Sequence, residues 1–170
     1  PYGRVSAEPW TGKRLPYIDN AVNLLLIKDG LELADKEIAR VLCPGGTAWT
    51  VRGAEATDVR LRFKKPPSTE TDEWTHYLYD ATGNAVAADQ RVAPPRHLQW
   101  VGSPTWTRHH DHISSFHAMI SAGGRVFYIM DQGPRAEIQL PPDWKLTARD
   151  GYNGTLLWQR SIDTWHTHLW

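Results

Sequence analysis

The feature that most constrains the fold is the spacing of four residues in the pattern A-x-D-x-x-x-G-x-x-x-W, namely Ala148, Asp150, Gly154 and Trp158. An aspartate at this place starts a turn, because its carboxylate accepts hydrogen bonds from the backbone that follows. The glycine supplies a positive φ angle, and the tryptophan is a large apolar plate that can pack against a neighbouring sheet. The pattern predicts a β-hairpin with strands at Leu146–Arg149 and Thr155–Arg160.

A second hairpin is predicted earlier in the chain. Ala118–Ser121 and Arg125–Met130 are strand-like segments, and the Gly123-Gly124 turn joins them. Four such strands form one blade of a β-propeller. The chain holds no second copy of the motif, and one blade cannot close a ring. We therefore expect an incomplete all-β propeller segment, with the missing blades of the same chain as its natural partners.

The spacing from Ala148 to Trp158 resembles the repeat of the PQQ (quinoprotein) propeller families. The stretch Glu73–Trp100, which includes Trp74, Tyr77 and Asp80, resembles the opening of quinoprotein dehydrogenase propellers. This resemblance implies a PQQ-like propeller over residues 73–170, with PQQ and Ca²⁺ as candidate cofactors of the full-length protein. The alternative interpretation of the motif is an ordinary hairpin with a buried tryptophan.

The first part of the chain has a different pattern. Val22–Ile27 is a continuous apolar run, typical of a parallel strand covered on both faces. A helical pattern follows at Leu33–Leu42, Pro44-Gly45-Gly46 is expected to end that helix with a tight turn, and Thr47–Val51 is the next predicted strand. Strand, helix and strand in this order predict a βαβ unit, a partial Rossmann-like α/β fold.

The same segment resembles the carboxyl-terminal part of a class I S-adenosylmethionine-dependent methyltransferase domain. The matching residues are Leu15–Asn20, the Val22–Ile27 run and Glu37–Gly46, with Cys43 where that family often has lysine. The family's glycine-rich cofactor loop has no counterpart here, so the resemblance implies the fold without a preformed cofactor site. Binding of S-adenosylmethionine by this chain is not expected.

Together these patterns predict a mixed fold from a bacterial fusion protein. Residues 1–53 form the truncated methyltransferase-like segment, residues 54–72 a linker or a short strand followed by a linker, and residues 73–170 the start of the propeller. Because the chain begins at Pro1 and stops within an aromatic-rich stretch at Trp170, we expect both ends to be cut. Exposed sheet edges in such a fragment favour association, so the isolated chain is expected to aggregate.

Composition excludes some partners. Lysine plus arginine and aspartate plus glutamate both number 19, so the formal net charge is zero and nothing favours nucleic acid. No apolar run reaches the length of a membrane span. Cys43 is the single cysteine, which rules out a disulfide within the chain. The compartment stays undecided, with an exported location favoured by the quinoprotein resemblance and a cytoplasmic one by the methyltransferase resemblance.

The densest polar cluster is Arg108-His109-His110-Asp111-His112. On an extended strand His110 and His112 share one face, and imidazole nitrogens are common ligands of transition metals. These two histidines are therefore the candidate metal ligands, and the alternative is a loop of solvated histidines. His166 and His168 are assigned to a strand surface, and His76 to local hydrogen bonding.

Three functions are compatible with the sequence. The first is a binding or scaffold propeller that contacts a protein or a small molecule. The second is a PQQ-dependent oxidoreductase, and the third is a methyltransferase. No nucleophile elbow accompanies Ser114 and Ser115, so nucleophilic catalysis finds no support.

Overall fold

The computed structural model describes residues 5–53, 57–106, 108, 115–135 and 140–163. The chain divides into two compact units between Ser68 and Thr69. The described residues form a three-stranded sheet, a four-stranded sheet and one helix, so the architecture is mostly β. Within these residues no helix is long and apolar enough to cross a membrane.

The first unit contains strand β1 (Val22–Lys28), helix α1 (Asp35–Val41) and strands β2 (Leu42–Arg52) and β3 (Asp58–Lys64). The sheet order is β1-β2-β3, with β1 parallel to β2 and β3 antiparallel to it. The helix packs against the sheet through a core of Ile27, Leu33, Ile38, Leu42 and Ala48. The segment assigned to a linker therefore includes β3, as in the alternative of a short strand followed by a linker.

Strand β1 is not buried on both faces, and that prediction was wrong. Leu24 is 56% exposed and Leu26 is 59% exposed, whereas Ile27 is buried against the helix. The reason is that the one described helix covers a single face of the sheet, which leaves the other face to solvent. A parallel β1–β2 pair is present, but this small sheet with its antiparallel third strand does not support a Rossmann-like α/β fold.

The helix was predicted to reach Leu42 and to be ended by Pro44-Gly45-Gly46, but the structure differs on both points. It ends at Val41, and Leu42 is already extended. Pro44-Gly45-Gly46 then lies inside β2 as an irregular segment, because Val22 pairs with Leu42 whereas Leu24 pairs with Thr47. Gly45 has a φ of 82°, and a Cβ at Gly46 would lie 2.9 Å from two backbone oxygens. The glycine pair therefore serves a bulge in a strand and not a helix stop.

A charged cluster joins the helix to the segment before β1. The Arg40 guanidinium donates hydrogen bonds to both carboxylate oxygens of Glu37, at 2.6 and 2.9 Å, and to the backbone oxygens of Leu15 and Tyr17. The Glu37 carboxylate also accepts the backbone N–H of Leu15 at 2.7 Å. The Arg40 hydrogen bonds, helped by that N–H, lower the pKa of Glu37 from its ordinary 4.5 to about 2.

The second unit is built on a four-stranded antiparallel sheet in chain order, β4 (Phe116–Ala122), β5 (Arg125–Asp131), β6 (Trp144–Asp150) and β7 (Leu156–Ser161). Both predicted hairpins are confirmed: β4 pairs with β5 and β6 pairs with β7. Gly123 and Gly124 both have positive φ angles in the first turn. The sheet has the strand number and order of one blade, and its assignment to a propeller remains a proposal.

Candidate functional site

The four motif residues lie in and around the β6–β7 turn. Ala148 is fully buried in β6 and lies opposite Trp158 in β7. The Asp150 carboxylate accepts the backbone N–H groups of Tyr152 at 2.8 Å and Asn153 at 3.2 Å, and Gly154 has a φ of 73°. Trp158 is 40% exposed, so the alternative of a buried tryptophan does not describe this hairpin. The motif residues build the turn and leave the indole accessible.

Trp100 gives Gly154 a second structural requirement. A Cβ at Gly154 would lie 2.4 Å from the Trp100 ring, well inside van der Waals contact. The indole Nε1–H of Trp100 donates a hydrogen bond to the Gly151 oxygen at 2.9 Å. The Trp100 ring therefore packs against the β6–β7 turn, and it attaches the start of the loop Trp100–Trp106 to this turn.

Arg149 connects the sheet to the same loop. It lies in β6 next to the motif residues and is only 7% exposed. Its Nε donates to the Tyr128 hydroxyl at 2.9 Å, Nη1 to the Gly154 oxygen at 2.7 Å and Nη2 to the Ser103 oxygen at 2.6 Å. All three acceptors are uncharged. The guanidinium is therefore well ordered, but it is bound to neutral oxygens.

A groove of about 790 Å³ lies between the Trp100–Trp106 loop and the sheet. Its wall from the sheet is apolar and aromatic, and the rings of Phe116 and Tyr128 stack there with centroids 5.4 Å apart. Among the described residues the lining includes three arginines and no aspartate or glutamate. The lining residues are Trp100, Val101, Gly102, Ser103, Pro104, Thr105, Trp106, Arg108, Phe116, Met119, Val126, Tyr128, Met130, Arg135 and Arg149. The volume is in the range of small-molecule sites.

One of the three arginines is neutralised within the protein. The side chain of Arg108 is 1% exposed and that of Asp131 is 0% exposed. Nη1 of Arg108 lies 3.0 Å from the Asp131 carboxylate. Arg108 also donates to the backbone oxygens of Leu140 and Pro141. The second Asp131 oxygen accepts the Gly133 N–H at 2.8 Å. This pair holds the chain after β5 in place and adds no net charge to the groove.

Two aspartates in and next to the stretch that resembled a quinoprotein opening, Asp80 and Asp72, accept hydrogen bonds from nearby groups. Asp80 accepts the hydroxyl and backbone N–H of Thr82, and these bonds lower its pKa. Asp72 accepts the Tyr79 hydroxyl first of all, and then the N–H groups of Ala88 and Glu73, so its pKa is also lowered. Carboxylates held ionised in this way suit loop structure more than proton transfer.

The candidate metal ligands fall in a part of the chain that the structure does not describe. His110 and His112, with His109 and Asp111, lie outside the described residues, as do His166 and His168. Over the residues that are described, no group of three or more His, Cys, Asp or Glu side chains is arranged to hold a metal ion. His76 bonds locally, with its Nδ1 at 2.9 Å from the Thr75 hydroxyl. A metal site at His110 and His112 therefore stays a prediction.

Sequence reasoning missed both Arg149 and the groove. Arg149 occupies an unspecified position of the motif, and its Ser103 partner lies 46 residues away. The available signal was an arginine within the predicted strand Leu146–Arg149, directly after the apolar Ala148. No protein-family model, no curated protein and no solved structure matches this chain.

Proposed function

We propose that the second unit is a binding module built on a PQQ-like propeller blade, and that its groove takes an apolar or aromatic organic ligand. The groove of about 790 Å³, with aromatic and methionine side chains on the sheet wall, is the observation that carries this proposal. Ligand sites are concave and mostly apolar, with a few polar groups that set orientation. Arg149, Tyr128 and Ser103, which are joined by hydrogen bonds, provide such polar groups.

The described lining of the groove does not offer the ligands that the Ca²⁺ of a quinoprotein dehydrogenase requires. Ca²⁺ beside PQQ requires carboxylate and amide oxygens as ligands. The described lining has no aspartate, glutamate, asparagine or glutamine, although it has several aromatic rings. The described lining therefore favours the binding of an organic ligand, and it gives no support to PQQ-dependent oxidation.

The exposure of β7 supports the blade assignment. This strand lies at the edge of the sheet, and all of its residues are exposed, including Leu156, Leu157 and Trp158. A neighbouring blade packs against such a surface in a propeller. We expect Trp158→Ser to reduce self-association of the 170-residue chain in sedimentation velocity, and Leu98→Ser, at a loop residue that is 80% exposed, to leave it unchanged. Equal association of both variants would contradict the assignment.

A matched pair of variants tests the binding function. Phe116→Ala removes one ring from the groove wall, and Leu98→Ala removes a side chain that does not line the groove. The probe is 2-naphthamide, an uncharged bicyclic aromatic, and binding is measured by calorimetry. Loss of one aromatic contact is expected to weaken binding about tenfold. Unchanged affinity in Phe116→Ala refutes the groove as the binding site.

A further inference from the structure

The groove contains two buried arginines whose surroundings differ in one respect. Arg108 has the buried carboxylate of Asp131 as its counter-ion, 3.0 Å away. Arg149 is equally inaccessible, yet its hydrogen bonds go to a hydroxyl and two backbone oxygens. Among the described residues no carboxylate forms an ion pair with Arg149. The positive charge of Arg149 is thus solvated by dipoles and not neutralised.

A buried charge without a counter-ion is unfavourable, because the surrounding protein has a low polarisability compared with water. A guanidinium has five N–H donors, and the three protein acceptors of Arg149 engage one on each nitrogen. One N–H on each terminal nitrogen is therefore left for a further acceptor. Because Arg149 also lines the groove, that acceptor can belong to a ligand inside it.

The rest of the lining specifies the chemistry of such a ligand. Arg135 adds a second positive charge on an exposed side chain, and the described lining contains no acidic group. Trp106 and Phe116 provide aromatic surface beside this charge. A carboxylate matches the two terminal N–H groups of one guanidinium, whereas a doubly charged phosphate costs more to transfer into an apolar groove.

We propose that Arg149 is the anion-binding residue of the groove and that the ligand is an aromatic carboxylate. This inference rests on the proposed binding function and adds the charge and class of the ligand. The competing explanation is that Arg149 only clamps the Trp100–Trp106 loop onto the sheet through its backbone acceptors. The two explanations differ in whether the groove distinguishes an anion from an uncharged molecule of the same shape.

The test compares 2-naphthoate with 2-naphthamide. The two molecules share the same ring system, but the first carries a charged carboxylate where the second carries an uncharged amide. Calorimetry on the 170-residue chain is expected to give about tenfold tighter binding of the naphthoate. Arg149→Met should abolish this preference while 2-naphthamide still binds. Arg160→Met removes one positive charge from β7, away from the groove, and should preserve the preference. Tighter binding of 2-naphthyl phosphate than of 2-naphthoate would overturn the assignment to a carboxylate.

A second measurement applies to the wild-type protein if Arg149→Met does not fold. In a sample labelled with ¹⁵N-arginine, naphthoate should shift the side-chain signals of one buried guanidinium, and naphthamide should not. Equal affinity for the two probes, or a preference retained in folded Arg149→Met, refutes the role of Arg149 and leaves the groove intact. Failure of both probes to bind refutes the proposed function itself.

Discussion

Replacement of Gly154 by alanine tests how the motif glycine organises the second unit. Two effects add at this position. A residue with a Cβ is strained at a φ of 73°, and the new methyl group would lie 2.4 Å from the Trp100 ring. The ring must therefore move away from the β6–β7 turn. It then loses its hydrogen bond to the Gly151 oxygen and part of its packing on the glycine.

The magnitude follows from these contributions. Strain from positive φ costs about 1 kcal/mol, the lost hydrogen bond about 1 kcal/mol, and the lost apolar contact about 1–2 kcal/mol. We expect Gly154→Ala to lower the free energy of unfolding by about 3–4 kcal/mol. Gly83→Ala is the matched control, since Gly83 has a φ of 71° and a Cβ added there would meet nothing within 4 Å. It should cost about 1 kcal/mol.

The assay is urea denaturation followed by tryptophan fluorescence, at a protein concentration at which the chain is monomeric. The indole N–H signal of Trp100 in an NMR spectrum provides a local readout, and it should lose its protection from solvent exchange in Gly154→Ala only. Equal destabilisation by the two substitutions would refute the reasoning, because it would leave only the shared strain. A protected Trp100 indole in Gly154→Ala would refute it as well.

Two further predictions concern charged side chains that form ion pairs. The stabilising contribution of Glu37 is fully present above pH 4.5 and is lost as the pH falls towards about 2, because its pKa is lowered in the folded chain. The free energy of unfolding, measured as a function of pH, should therefore fall by at most about 3 kcal/mol in acid in the wild-type chain, and Glu37→Gln should lack this loss. The same acid dependence in both proteins would contradict the role of Glu37. Asp131→Asn removes the buried carboxylate that pairs with Arg108 and should cost about 3–5 kcal/mol in urea denaturation. A cost below about 1 kcal/mol would contradict a stabilising role of this ion pair.

Sequence reasoning succeeded where the signal was local. The two hairpins of the second unit were located because strand alternation and turn residues lie next to each other in the chain. The Asp150 turn is an example, since its acceptor and both donors lie within four residues. The strand at Val22 was also located, but its burial was not, because burial depends on which elements cover each face.

The errors have the same physical origin. Pro44-Gly45-Gly46 normally ends an element, yet here it continues as a bulge in β2, because Gly45 and Gly46 exchange backbone hydrogen bonds with the distant Lys65. The Lys65 ammonium also donates to the Ala39 and Leu42 oxygens at the end of the helix. Neither contact is visible in a local pattern.

The sequence by itself determined the hairpins, the turn at Asp150 and the requirement for glycine at position 154, because these depend on backbone conformation over a few residues. Only the tertiary structure decided that Trp158 is exposed, that Trp100 lies on Gly154, and that Arg149 meets the Ser103 oxygen. The groove arises where a loop folds back on the sheet. Its charge and shape therefore depend on contacts between residues that are far apart in the chain.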